Sequence, residues 1–461
     1  MRRRLVVWRL AASALLASAP ARGWAQQPPA GPPLPLVHPA APAAPPATIT
    51  LQDALDRARQ NDAQFQSASA DAQIAREDRV QARAALLPAV SYTTQYLGNS
   101  PNGVNPNGRF VSLDGVKMYR AWGVVHQELS PNVLMATPLH RAQAVEAAAA
   151  AKLEVAQRGL AVTVTRSYYT LVVAQRKYAA TQAAAQQANR FFEITQQQQR
   201  LGQVARSDTI KAEIQYQQQQ QAYRDALVAM DNARLTLAVL LSPTLDENFS
   251  VVDDLAAAPP LPAFDEVRTM AARGNPDVRA ADEALHAAGH DVRAAKNAFY
   301  PTLVLDGVYG IEANEFALNS RIAAQPELGV LPNLGYFITL NLTVPVWDWG
   351  GLRSKVHQSE AKQHQAEVTL TQTQRQVMSN LYSMYNEAMA AKSGVDNLQR
   401  VADLAAESVR LTTLRYQAGE STALEVVDAQ NTFVQARNAN DDAQVRYRVA
   451  VAELQTLTGR F

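Results

Sequence analysis

The 461-residue chain contains no cysteine. That excludes disulfide staples, thiolate metal ligands, cysteine nucleophiles and a lipid-modified N-terminal cysteine. No charge sign dominates: 43 Lys and Arg face 42 Asp and Glu, a formal net charge of +1. A strongly basic nucleic-acid footprint is therefore missing. Aromatic residues make up only 7%, and there are 20 glycines. With so few large apolar side chains, long helices packed through small residues are expected rather than one thick core. Beyond the N-terminus no run of ~20 apolar residues occurs, so no segment reads as a transmembrane helix.

What is present begins with an address. Arg2-Arg3-Arg4 precede an apolar stretch from Leu10 to Ala19, and Gly23-Trp24-Ala25 supplies a small-x-small cleavage pattern. Residues 1–25 read as an export signal cut after Ala25, too short to span and broken by Pro20. Residues 26–47 carry nine prolines, from Pro28 to Pro46, and are expected to form an extended, mobile leader. An exported chain without a spanning helix is periplasmic, secreted or an outer-membrane barrel.

From Thr48 onward the chain says the same thing twice. Asn61-Asp62 opens a helical stretch ending Ala85-Leu86-Leu87-Pro88, and Asn275-Pro276 opens one ending Ala298-Phe299-Tyr300-Pro301. Gly202 and Gly419 stand 217 residues apart, as do Asp208 and Glu425. Pro259, Pro260 and Pro262 mark the joint, giving copies over 48–258 and 259–461. Each copy reads as a helix of roughly 37 residues, an irregular alternating stretch, a helix of about 60, a glycine break and another helix of roughly 37. Val164, Leu171, Tyr178, Ala185 and Phe192 fall seven apart, and Ser167, Ala174, Thr181 and Ala188 form a parallel row of small residues. Large knobs beside shallow holes suit close packing on both flanks, as in a curved wall of coiled-coil helices. The glutamine runs 196–199 and 217–221 read as polar helix faces.

Four segments alternate with period two. Val90, Tyr92, Thr94 and Tyr96 share a face, as do Tyr336, Ile338, Leu340, Leu342 and Val344. Leu303, Leu305 and Tyr309 form a third face, and Tyr119–His126 a weaker fourth segment. The 101–108 and 311–333 stretches between them read as exposed loops. Strands with one apolar and one polar face fit a membrane barrel, although a small soluble sheet shows the same alternation. Four strands cannot close a barrel, for which about eight is the practical minimum. An open edge in lipid would leave backbone groups unsatisfied, so the chain must oligomerise to finish its wall. Trp347 and Trp349 lie where strand becomes helix, the place of an interfacial aromatic belt.

Taken together, Asn275-Pro276 with Tyr300-Pro301, Val344-Pro345-Val346-Trp347-Asp348-Trp349-Gly350-Gly351, and Tyr416 through Gly419 to Glu425-Val426-Val427-Asp428-Ala429-Gln430 resemble the TolC-like outer-membrane efflux protein family over residues 50–459. The resemblance implies a mainly α fold with a small β part. Two tandem repeats of long coiled-coil helices with two strands each would trimerise into a periplasmic α-helical tunnel and a 12-stranded outer-membrane barrel. The shorter helices would stack end to end beside the long ones. The function implied is a passive exit duct of a tripartite efflux or type I secretion system. Its partners would be a periplasmic adaptor (membrane fusion protein), an inner-membrane pump and outer-membrane lipid, without nucleic acid or cofactor.

The same resemblance implies that the helix breaks form a periplasmic tip. Leu201, Gly202, Arg206 and Gly419 would dock the adaptor, and Ser207, Asp208, Tyr416 and Ser421 would form a polar gate. Ser421 stands where the family carries an arginine, so the acid–arginine bridge is missing; Arg206 is a candidate replacement. Glu425 and Asp428 would form an acidic ring at the constriction. Being three apart on a helix, both can face one side; the plainer reading of Glu425 is an N-terminal helix acid. The first copy has Ser130-Pro131-Asn132-Val133-Leu134 where the second has its Trp/Gly turn, which leaves the register of 118–140 open.

His286 and His290, one turn apart with Glu283 nearby, have metal-ligand spacing, but no further ligand or His-Glu-x-x-His motif appears, so they read as a solvated helix face. His357 and His364 read the same way. No phosphate loop, G-x-S-x-G elbow or dinucleotide fingerprint occurs, so no enzyme is expected. The alternative to a conduit is a soluble periplasmic coiled-coil structural or adaptor protein.

Overall fold

The structure is a computed structural model, and it describes residues 47–98, 117–243, 248–257, 259–313, 334–418 and 420–459. The export signal, the leader up to Pro46, and the expected surface loops at 101–108 and from 314 to 333 lie outside the described residues. From Ala47 onward the element order repeats. The first series is β1 (Ala47–Ile49), α1 (Leu51–Asn61), α2 (Ala63–Ala84), β2 (Ala89–Gly98), β3 (Lys117–Leu129), α3 (Pro131–Leu134), α4 (Thr137–Arg200) and α5 (Arg206–Leu241). The second is β4 (Phe249–Val251), α6 (Phe264–Gly274), α7 (Pro276–Asn297), β5 (Thr302–Ala313), β6 (Leu334–Thr343), α8 (Gly351–Gln417) and α9 (Ala423–Thr458).

The stretch read as one opening helix of roughly 37 residues is two helices in each copy, of 11 and 22 residues. The break has a local cause. Asp62 and Asn275 leave the helical region with ψ of 124° and 122°, and their side chains accept from the amides of Phe65 and Val278. Pro276 reinforces the second break, because a residue before proline is pushed out of the α region. Each break is also held from outside. Asn61 Nδ2 donates to the Leu241 carbonyl at 2.7 Å, and Asn275 Nδ2 to the Leu457 carbonyl at 3.4 Å. The last carbonyls of a helix lack intrahelical partners, so these amides satisfy two of them.

The long helices α4 and α8 run 64 and 67 residues. At ~1.5 Å per residue each is roughly 100 Å long. Such helices need neighbours along their whole length. Along α4 these are α2 and α7 in one half, and α5 and α9 in the other. Likewise α7 and then α9 pack along α8, while α1 meets α5 and α6 meets α9. The shorter helices therefore stack end to end between the long ones. Both heptad rows of α4 are used: Val164 and Leu171 are fully buried, and Ala185, Thr181 and Ala188 are buried as well. A corresponding core forms in each copy. Tyr168, Leu171 and Val172 pack on Leu237 and Ala238 in the first, and Val267, Leu381 and Ala388 pack with Ala450, Leu454 and Leu457 in the second.

A two-stranded parallel pair, β1 with β4, has no counterpart in the sequence reading. It ties the start of the first copy to the segment joining the copies. Tyr168 Oη donates beneath it, with the Val252 carbonyl at 2.8 Å and the Ile49 carbonyl at 3.1 Å. Burial, then the charge of Asp254, pushes this phenol up to about 12. Arg176 holds the same joint from α4, contacting Asp253 Oδ1 at 2.7 Å and Asp441 Oδ1 of α9 at 2.7 Å.

The larger sheet is antiparallel in the order β2-β3-β5-β6. Its central pair, β3 with β5, joins the two copies. Both long helices start after a left-handed residue, Ala136 (φ 49°) before α4 and Gly350 (φ 86°) before α8. The short helix α3, capped by Ser130, therefore occupies the place of the Trp/Gly turn, and the pairing of β3 with β2 and β5 gives the register up to Leu129. At the second turn Asp348 Oδ1 accepts from the Gly350 amide at 3.1 Å and Oδ2 from the Leu352 amide.

Candidate functional site: a two-faced sheet and a helical tip

In a sheet of known register, side-chain parity decides which residues share a face. Val90, Tyr92 and Tyr96 of β2 lie across from Val125, Gly123 and Tyr119 of β3. These continue to Gly307 and Tyr309 of β5, and the row goes on to Ile338 and Tyr336 of β6. Leu303 and Leu305 pair with Leu342 and Leu340 on the same face. One face is thus almost entirely apolar and aromatic. It is also open: Val90, Tyr92, Tyr336 and Ile338 are each more than two-thirds exposed.

The opposite face carries the charged groups of the sheet and most of its polar ones, with Val124, Val304 and Val308 among them. Arg120 Nη2 reaches Glu312 Oε1 at 3.1 Å, and Arg120 Nη1 donates to Gln95 Oε1 at 3.3 Å. His126 Nδ1 lies 2.6 Å from Asp306 Oδ1. Ser91, Thr93, Glu128, Thr339, Asn341 and Thr343 share that parity. Beyond the two outer strands no further strand pairs among the described residues. The sheet is therefore a segment of wall, greasy on one side and wet on the other, with two unpaired edges. Trp347 and Trp349 sit at its helical end, exposed and edge-to-face at 5.6 Å. No helix among the described residues is long and apolar enough to cross a membrane.

The tip is built by two helical reversals. Gly202 takes φ 72°, a left-handed value that a Cβ disfavours, and α5 begins four residues later. In the second copy Thr422 caps α9, its Oγ1 accepting from the Glu425 amide at 3.3 Å. Gly419 lies outside the described residues. Leu201, Gly202 and Arg206 are exposed, and Arg206 forms no ion pair among the described residues.

The expected gate residues are brought together only in part. Tyr416 packs its ring 5.8 Å from Phe191 of α4, and burial, then the charge of Asp208, pushes its phenol up. Ser207 makes no hydrogen bond to Tyr416 within one chain. Asp208 lies 3.9 Å from Lys211. Ser421 instead donates to Glu425 Oε2 at 2.7 Å. That bond, with those from Thr422 and the charge of Arg415, holds the Glu425 carboxyl below the usual glutamate range. Arg415 went unremarked in the sequence. Its guanidinium donates to the Glu420 carbonyl at 3.2 Å and lies 4.0 Å from Glu425. The only sequence signal for it was a cation ten residues before an acid, across a glycine turn. Glu425 and Asp428 are both exposed on one strip of α9. So Glu425 is a helix-start acid within one chain whose carboxyl stays exposed.

Away from the tip, His290 stacks on His140 with ring centroids 5.7 Å apart, and His286 lies 3.6 Å from Glu283. Among the described residues no three histidine or carboxylate side chains are grouped to hold a metal ion.

Residues 267–460 match the family described as "Outer membrane efflux protein". Among curated relatives, the chain is 26% identical to nodulation protein T of Rhizobium leguminosarum bv. trifolii, over 63% of this chain and 61% of that protein. It is 24% identical to outer membrane protein TolC of Vibrio cholerae, over 89% of this chain and 90% of that one. Its fold resembles the crystal structure of the CmeC outer membrane channel of Campylobacter jejuni, with a TM-score of 0.71, 18% identity, and coverage of 89% of this chain and 85% of that one.

Proposed function

The chain belongs to the outer membrane efflux protein family, and on that premise we propose that three copies assemble into an outer-membrane duct that carries solutes out passively. The single observation that carries this reading is the two-faced sheet with both edges open. Unpaired backbone groups cost several kcal/mol each in lipid, so such a sheet is stable in a bilayer only when other strands close it. Three copies of four strands give twelve, apolar outside and polar inside, and two helical repeats per copy give six similar hairpins around a tunnel. The alternation of long helices with stacked short ones supports a continuous helical wall below the sheet.

The exposed turns at Leu201, Gly202 and Arg206, with Gly419 between α8 and α9, are the proposed docking points for a periplasmic adaptor that couples the duct to an inner-membrane pump. Ser207, Asp208, Tyr416 and Ser421 are the proposed gate. Ser421 is spent within its own chain on Glu425, so the bond that closes the tip would run between Asp208 and Tyr416 or to a neighbouring copy. Arg415 is better placed than Arg206 to supply the cation. Glu425 and Asp428 would bring six carboxylates towards one axis, attracting cations.

The test is purification in detergent, native mass, and reconstitution in a planar lipid bilayer. A trimer passing steady, cation-selective current is expected. A monomer that needs no detergent and passes no current would establish the soluble coiled-coil alternative instead.

A further inference from the structure

The polar face of the sheet carries two large rings besides its valines. Trp122 of β3 and Phe337 of β6 project from it, although a water-lined wall favours polar side chains there. They meet across the intervening strand, edge-to-face at 6.1 Å. Gly310 of β5 lies directly opposite Trp122, and a Cβ there would come within 2.9 Å of indole Cδ1. The missing side chain lets the indole lie back over the wall. Arg120 stacks its guanidinium 5.1 Å from the indole centroid and is held there by Glu312 and Gln95. Val308 is buried in the same parity row, while Phe337 is 49% exposed. An aromatic surface therefore remains open on the wet side, in the half of the sheet farther from the helices.

We propose that Trp122 and Phe337 form a contact site for flat aromatic cations moving through the duct. This rests on the conduit reading above, since only there does the face border a solute path. The stated chemistry follows from two properties of the face. Exposed aromatic rings hold planar rings by stacking and cations by their quadrupole. The ionisable side chains of this face, among the described residues, are Glu128, Asp306 and Glu312 against Arg120 and His126, an acidic balance that favours a positive visitor. Three copies would place three such sites around one passage, each weak enough to release what it holds.

The experiment uses the full chain in planar bilayers with ethidium added from the barrel side, and tetraethylammonium as a cation without rings. In the native protein ethidium should interrupt the current in resolvable blocks. Trp122→Leu with Phe337→Leu keeps an apolar side chain over Gly310 but removes both rings. It should shorten the mean ethidium block at least threefold while leaving open-channel conductance and the tetraethylammonium response unchanged. Where the double variant fails to insert, Phe337→Leu alone leaves the indole seated and reads the same quantity. Equal block lengths in native and variant channels, or no ethidium block in a conducting native channel, would overturn the site. Absence of current from the native protein would overturn the conduit itself and is read separately.

Discussion

Replacing Gly310 by alanine probes the wall at its most crowded point. A Cβ at this position would lie 2.1 Å from the Ala121 carbonyl oxygen and 2.8 Å from Trp122 Cα. Both are backbone atoms of β3, so no side-chain rotation relieves the clash. Ordinary carbon–oxygen contact needs more than 3 Å, so β3 and β5 must part by about 1 Å locally. A gap of that size forfeits the ladder hydrogen bonds on either side of residue 310. At several kcal/mol for each unsatisfied group in lipid, losing two such bonds costs more than ~5 kcal/mol. That is comparable with the whole stability of many domains, ~5–15 kcal/mol. Gly307 supplies the control, because it lies on the same strand and a Cβ there meets nothing within 4 Å. The assay is the yield of detergent-resistant oligomer and its conductance in bilayers. Gly310→Ala should lose both and Gly307→Ala keep both. If Gly310→Ala assembled and conducted normally, β3 and β5 would not be paired in the register described, and the continuous two-faced wall would fail with it.

Three further outcomes are expected. Glu425→Ala with Asp428→Ala should weaken cation selectivity and block by multivalent cations; unchanged selectivity and block would remove the acidic ring. Arg176→Met should cost about 2–4 kcal/mol in denaturant titration, because it strands the nearly buried Asp441 and the half-exposed Asp253 (10% and 44% side-chain exposure); a loss under 1 kcal/mol would show that the joint does not depend on it. Burial, then the charges of Arg293, His140 and His286, holds the His290 imidazole below its ordinary value. The unfolded chain then binds more protons, so this contribution is complete above about pH 6.5 and fades as pH falls through the lowered folded value. His290→Gln should flatten the fall in Tm between pH 7.5 and 5, and an unaltered slope would refute that assignment.

Much of the architecture was readable because its signals are periodic. The seven-residue rows of α4 specify a helix with two buried flanks wherever its neighbours come from, and the period-two stretch 336–344 specifies a strand with two unlike faces. The paired glycines and acids marked both reversals. Asn61-Asp62 and Asn275-Pro276 read as helix openings, yet each opening stretch was still counted as one helix, because a cap mid-pattern competes with uninterrupted helical periodicity. The β1–β4 pair left no trace: three-residue strands carry no period, and their partners lie some two hundred residues apart. Arg415 was silent for a similar reason, since its approach to Glu425 exists only after the chain has doubled back.

The sequence by itself determined the local elements, the duplication and the shortage of strands, since each depends on spacings of a few residues repeated along one chain. Only the tertiary structure decided register. It set which strand residues share a wall, put Trp122 and Phe337 together over Gly310, and set Arg176 between Asp253 and Asp441. Those pairings rest on side chains from distant segments meeting at van der Waals and hydrogen-bond range, and a one-residue slip along any strand would reverse the faces without altering the alternation of a single segment.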